Sequence, residues 1–169
     1  AVCIEIFRFS IRFGIGDIFY TKRQIRQRLN IPVLGLWYQL DNHHDGEEEL
    51  QTSLAVQSVM NQDVIFVDII NGNYAEQFYE QYTSIFSSKE NGSLQTISYP
   101  IIRQEEYDKL ENANVILVIP FGVPCANQAE DIVCELQRRN CHIAGAVLTN
   151  CNYKWVKAYY NKFSTVRGK

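Results

Sequence analysis

A chain of 169 residues, 46% of them hydrophobic and 21% charged, is long enough for one domain with its own core and too short for two. Its 16 basic and 19 acidic residues leave a formal charge of −3, so the overall balance gives no ground for a nucleic-acid binder. The charge is unevenly placed: 1–30 carries Arg8, Arg12, Lys22, Arg23, Arg26 and Arg28 against Glu5 and Asp17, 41–49 is acidic, and the chain beyond Asn150 holds lysines and an arginine but no acid.

The run 4–13 is apolar with Arg8 and Arg12 four residues apart, which places both cations on one face of a helix. After a break at Gly14-Ile15-Gly16-Asp17, Thr21 is positioned to cap a short helix with Ile25 and Leu29 on one face and Lys22, Arg23 and Arg26 on the other. Asn30-Ile31-Pro32 ends it, because a proline disfavours helix at the residue before it. Val33 to Tyr38 reads as the first strand, and the acidic run from Leu40 to Glu49 leads into a helix over 50–61. A buried strand follows from Val64, ending in Asp68 and a turn over 69–73, and then Phe78, Tyr82, Ile85 and Phe86 recur at helical spacing.

Beyond a polar loop over 87–93 come a short strand, Leu94 to Ile97, and a short helix, Gln104 to Leu110. The strongest pattern lies further on. Asn114 to Gly122 and His142 to Asn150 are nearly unbroken apolar runs separated by one helix's length, whose inner face is Ala129, Ile132, Val133 and Leu136. Strands covered on both faces cannot alternate polar and apolar residues, so this is a parallel βαβ unit. The expected fold is α/β in three layers, a mainly parallel sheet of about five strands with helices on both faces.

Tyr20 to Gly35, with its Ile31-Pro32-Val33-Leu34-Gly35 element, together with Ala144-Gly145-Ala146-Val147-Leu148-Thr149-Asn150 at the end of the second run, resembles the cytoplasmic domain of bacterial tyrosine kinases and polysaccharide chain-length determinants. The resemblance covers about Ile15 to Tyr160 and implies a P-loop NTPase-like fold. It further implies a place in capsular or exopolysaccharide biosynthesis and export, at the cytoplasmic face of the bacterial inner membrane. The partners it implies are membrane-embedded export and polymerisation components, an anionic membrane surface touched by Arg8, Arg12, Lys22, Arg23 and Arg26, and weak self-association. The organisation expected is a basic juxtamembrane-like segment over 1–30, the α/β domain over 31–152, and a basic tyrosine and lysine tail over 153–169.

A phosphate-binding loop needs glycines whose N–H groups converge on the phosphates, a lysine for the outer phosphates, and a hydroxyl for magnesium. In the expected place, between the first strand and the helix near Leu50, stand Asp45, Gly46, Glu47, Glu48 and Glu49, a single glycine beside carboxylates that would repel a nucleotide. Asp68 sits where the family's strand-end Asp-x-Asp handles magnesium, but its partner position is Ile70, so it reads as a vestige capping its own turn.

His43 and His44 beside Asp41 can be set against a divalent cation, yet adjacent side chains diverge on a regular backbone and a solvated acidic loop explains them better. Five cysteines at irregular spacings contain no Cys-x-x-Cys pair and read as reduced thiols, with Cys125 buried or idle. Tyr153, Tyr159 and Tyr160 stand where the kinases carry phosphorylated tyrosines and read here as packing and surface anchors.

No catalytic residue, cofactor or metal site is expected. The function that follows is a catalytically degenerate domain acting through protein contacts; the alternative is a divergent P-loop ATPase or tyrosine kinase. A flavodoxin-like or receiver-like module is disfavoured, because no acidic cluster gathers at the strand ends. The apolar run Val115 to Val123 is about half the length of a membrane span, and an opening on Ala1-Val2-Cys3 without methionine is expected of a piece of a longer protein.

Overall fold

Local chemistry sets the bounds of the helix Lys22–Leu29, and burial of Ile25 and Leu29 holds it. The computed structural model describes residues 16–38, 63–86, 94–99 and 104–164. In it the Thr21 hydroxyl accepts the N–H of Gln24 at 3.2 Å, while the Gln24 carboxamide oxygen accepts the N–H of Thr21 at 3.1 Å, a reciprocal capping box that opens α1 (Lys22–Leu29). Asn30 closes the helix in the left-handed conformation, φ 53°, and donates its N–H to the Arg26 carbonyl at 3.1 Å. Pro32 then releases the chain into β1 (Val33–Leu36).

The remaining strands are β2 (Val64–Asp68), β3 (Leu94–Ser98), β4 (Asn114–Pro120) and β5 (His142–Thr149). They form one sheet in the order β1-β5-β4-β2-β3, with every pairing parallel. Every residue of β1, β2 and β4 is buried, the pattern a doubly covered sheet imposes. The helices that supply the cover are α2 (Tyr74–Phe86), α3 (Gln104–Glu111), α4 (Ala126–Arg138) and α5 (Tyr153–Ser164).

Alternate strand residues feed two separate cores. On one face Ile65, Val67, Val115, Leu117 and Leu148 pack with Ile25 and Leu29 of α1, Leu110 of α3, the expected inner face of α4, and Val156 of α5. On the other, Phe66, Ile116, Val118 and Val147 pack with Trp37 and with Ala75 and Phe78 of α2. Phe78 meets the edges of both Phe66 and Trp37, at ring separations of 5.3 and 5.4 Å, contacts worth about 0.5–1.5 kcal/mol each beyond area burial. The three-layer α/β architecture is as the sequence implies. The segments on either side of positions 30 and 152 share one core, since Ile25, Leu29 and Val156 belong to the same cluster as β4. The expectations for 4–13, for 41–61 and for 87–93 lie outside the described residues.

The β4–β5 ladder shifts register between Val115 and Ile116, so that Ile116 faces Gly145. A Cβ on Gly145 would come within 2.9 Å of both the Pro32 carbonyl and the Leu34 side chain. Glycine there lets β1 approach β5, and the Ala146 N–H reaches the Pro32 carbonyl at 2.9 Å. Gly145→Ala is therefore expected to cost about 1–3 kcal/mol by overpacking, read as a lowered urea midpoint with unchanged slope. An unchanged midpoint would show that β1 gives way freely.

Candidate functional site

In open α/β sheets ligands bind beyond the carboxyl ends of the strands, where successive connections leave in opposite directions. Here the chain leaves β2 towards the edge strand β3 and leaves β4 towards β5, with α2 and α4 on opposite faces. The crevice therefore lies between the loops after β2 and after β4. This differs from the sequence expectation, which looks to the segment after β1, because adjacency of β2 and β4 is a property of the assembled sheet. Asp45, Gly46, Glu47, Glu48, Glu49 and the pair His43 and His44 lie outside the described residues.

The loop after β2 runs Ile69-Ile70-Asn71-Gly72-Asn73, with no lysine, arginine or hydroxyl and a single glycine. Asp68, at the last position of β2, is wholly buried. One carboxylate oxygen accepts the N–H of Ile70 at 3.3 Å; the other accepts those of Tyr74 at 2.7 Å and Ala75 at 3.2 Å. Tyr74 and Ala75 open α2, so the carboxylate sits on the positive end of that helix, where an anionic ligand would sit. Burial raises the Asp68 pKa above the ordinary carboxyl value, opposed by the three backbone N–H groups that favour the ionised form.

The start of α4 is closed in the same way, by a residue far away in sequence. The Asp17 carbonyl accepts the N–H groups of Cys125 at 2.8 Å and Ala126 at 2.9 Å, and its carboxylate accepts that of Asn127 at 2.7 Å. Ile18 bridges to Pro124, and the Gly122 N–H reaches the Phe19 carbonyl at 3.1 Å, so 17–19 lies as a strap across the loop after β4. Arg28 clamps the strap: its guanidinium bonds the Gly16 carbonyl, the Glu130 carboxylate and, at 2.6 Å, the Asn127 carboxamide. Sequence reading took Gly14 to Asp17 only as a break, and no local signal joins Asp17 to a helix 110 residues on.

Cys125, just ahead of α4, is buried, and burial, with the Asp17 charge second, pushes its thiol up to about 12. Burial likewise raises Cys151 to about 12. Among the described residues no group of three or more histidines, cysteines or acids is placed to hold a metal ion. Tyr153 packs edge-on against Tyr38 at 5.8 Å and Tyr159 stacks on Trp155 at 5.3 Å. Lys22, Arg23 and Arg26 line a groove with Leu36, Tyr38 and, from α5, Val156, none of them from the loops after β2 and β4; Arg8 and Arg12 lie outside the described residues.

Removing the Asp68 carboxylate leaves three N–H groups without their acceptor in a site closed to water. Asp68→Ala is expected to destabilise the fold by about 2–3 kcal/mol, and Asp68→Asn, which keeps one acceptor, by less. Urea denaturation of the two variants measures this, and equal stability of Asp68→Ala and the parent would mean that the carboxylate does not hold α2.

No protein-family model matches this sequence, and a comparison with curated proteins finds no match. Among solved structures, the chain is similar to "the chimerical protein CapA2B2", with a TM-score of 0.54 at 8% identity over 77% of this chain and 99% of that one. It is also matched to the kinase domain of Escherichia coli tyrosine kinase ETK, at 13% identity over 85% of this chain and 72% of that one, but with a TM-score of 0.33 that adds no weight. What the first likeness shows is the fold alone, which in this chain is a parallel five-stranded α/β sheet.

Proposed function

We propose that this chain is the catalytically degenerate, kinase-like domain of a capsular or exopolysaccharide biosynthesis and export protein of the chain-length-determinant type. It acts through contacts with membrane-embedded partners at the cytoplasmic face of the bacterial inner membrane, with at most weak self-association. The motif resemblance over Ile15 to Tyr160 and the fold shared with CapA2B2 support the family side of this reading. The observation that carries the loss of chemistry is the Asp68 carboxylate seated on the N-terminus of α2.

A triphosphate entering that seat would have to displace a buried carboxylate or lie beside it. Two unit charges 4 Å apart repel by about 4 kcal/mol at the effective dielectric near a protein surface. The loop over 69–73 offers no cation to offset this, and α4 cannot serve instead while Asp17 caps it.

Calorimetry with ATP and magnesium should accordingly show no binding tighter than about 1 mM, or roughly 4 kcal/mol. Mass spectrometry after the same incubation should find Tyr153, Tyr159 and Tyr160 unmodified. A micromolar dissociation constant, or stoichiometric phosphate on any of these tyrosines, would overturn the proposal in favour of a divergent ATPase or tyrosine kinase.

A further inference from the structure

Positive charge in this molecule is sorted by element. α1 (KRQIRQRL) and α5 (YKWVKAYYNKFS) contain no acid, whereas α3 (QEEYDKLE) and α4 (ANQAEDIVCELQR), in the same layer, are rich in glutamate and aspartate. α1 and α5 flank a groove of about 660 Å³ whose rim is Lys22, Arg23 and Arg26 and whose floor is Leu36, Tyr38 and Val156. Arg23 and Arg26 are exposed and make no ion pair among the described residues. Lys154 and Lys157 stand exposed on α5.

Among the described residues Trp155 is the only large hydrophobic side chain left exposed, at 38%, and it lies on α5 between those two lysines. It stacks on Tyr20 at 5.0 Å and on Tyr159 at 5.3 Å, and meets Phe121 in a T-shaped contact at 5.4 Å. The same stack ties α5 to the residue preceding Thr21, the N-cap of α1, so that the basic helix α1 and the basic helix α5 meet at Trp155; Lys157, on the other flank of α5, lies over the Tyr153 ring at 5.5 Å.

We infer that the α1–α5 face is a docking surface for anionic phospholipid, with Trp155 as its interfacial anchor and Arg23, Arg26, Lys154 and Lys157 as its electrostatic contacts. Indole and phenol rings set among lysine and arginine match the interfacial zone of a bilayer, where amphipathic rings sit at headgroup level and cations meet lipid phosphates. A carboxylate-rich protein partner would match this face in charge alone. The inference deepens the membrane placement proposed above but stands on charge sorting and Trp155. Vesicle binding and ATP calorimetry therefore fail independently.

The test is flotation of the protein with phosphatidylcholine vesicles containing phosphatidylglycerol, at low and high salt, with tryptophan emission followed in parallel. Binding should be salt-sensitive and absent from pure phosphatidylcholine. Emission should shift to the blue through Trp155, because Trp37 is only 1% exposed and already shielded. Trp155→Phe should abolish the shift while keeping the stack.

Each basic group near an anionic leaflet changes partition about five-fold, so Arg23→Ala with Arg26→Ala should weaken binding about thirty-fold, and the Lys154, Lys157 pair similarly. Lys109→Ala, on α3, should leave it unchanged. Absent binding, binding indifferent to lipid charge, or equal loss with Lys109→Ala overturns the inference. So does capture of soluble polyglutamate without vesicle binding, which would make this a protein-docking face.

Discussion

A parallel sheet must be covered on both faces, and that constraint governs where this molecule can keep a polar side chain. β2 and β4 are buried along their whole length, so their interiors admit only apolar residues. Among the described residues the buried polar side chains are Thr21, Asp68, Asn114 and Thr149, and each stands at the end of an element, where backbone groups fall out of the ladder or the helix. Thr21 caps α1, Asp68 caps α2, Asn114 meets the His142 ring at 2.7 Å, and the Thr149 hydroxyl donates to the Ile119 carbonyl at 3.3 Å. Polar chemistry is thereby driven to the sheet's edges, and at the carboxyl edge the chain supplies its own anions to both helix starts.

The two caps differ in kind. Asp68 is sealed from water and acts at short range, so its three hydrogen bonds weigh fully in stability. The strap is different, because the clamp around Arg28 is a partly exposed network, with side-chain exposures of 28% and 39% for Arg28 and Glu130. An ion pair of that exposure contributes about 0–1 kcal/mol. Its effect is positional: it keeps Asp17 on α4 and orients α1 along that helix.

How much of this is legible in the sequence depends on the range of the interaction involved. The βαβ unit from Asn114 to Asn150 shows in its apolar runs, and the bounds of α1 show in Thr21 and Asn30, because capping and turn chemistry act over a few residues. Asn30, Asn73, Asn140 and Asn150 are the non-glycine residues with positive φ among those described, each at an element boundary where asparagine tolerates the left-handed region. The pairing of β2 with β4 is not legible, since it depends on which strands the sheet brings together. Asp17 is hidden for the same reason, and the expectation of a phosphate loop after β1 follows from not knowing that β1 is an edge strand. The basic character of 22–28 and of the chain beyond Asn150 is plain in the sequence; that the two meet becomes visible only when Tyr20 is found stacked on Trp155.

The sheet order also sets an expected order of assembly. β2-α2-β3 and β4-α4-β5 each close over short stretches of chain, whereas β1 reaches its strand partner, β5, from the other end of the sequence, as Asp17 reaches Asn127 across 110 residues. Closing a loop of that size costs chain entropy that short crossovers do not incur. The strap, α1 and β1 are therefore expected to dock late on the other four strands, an order that φ-value analysis tests. Release of the same unit in the native state would uncover the start of α4 and part α1 from α5 in one step.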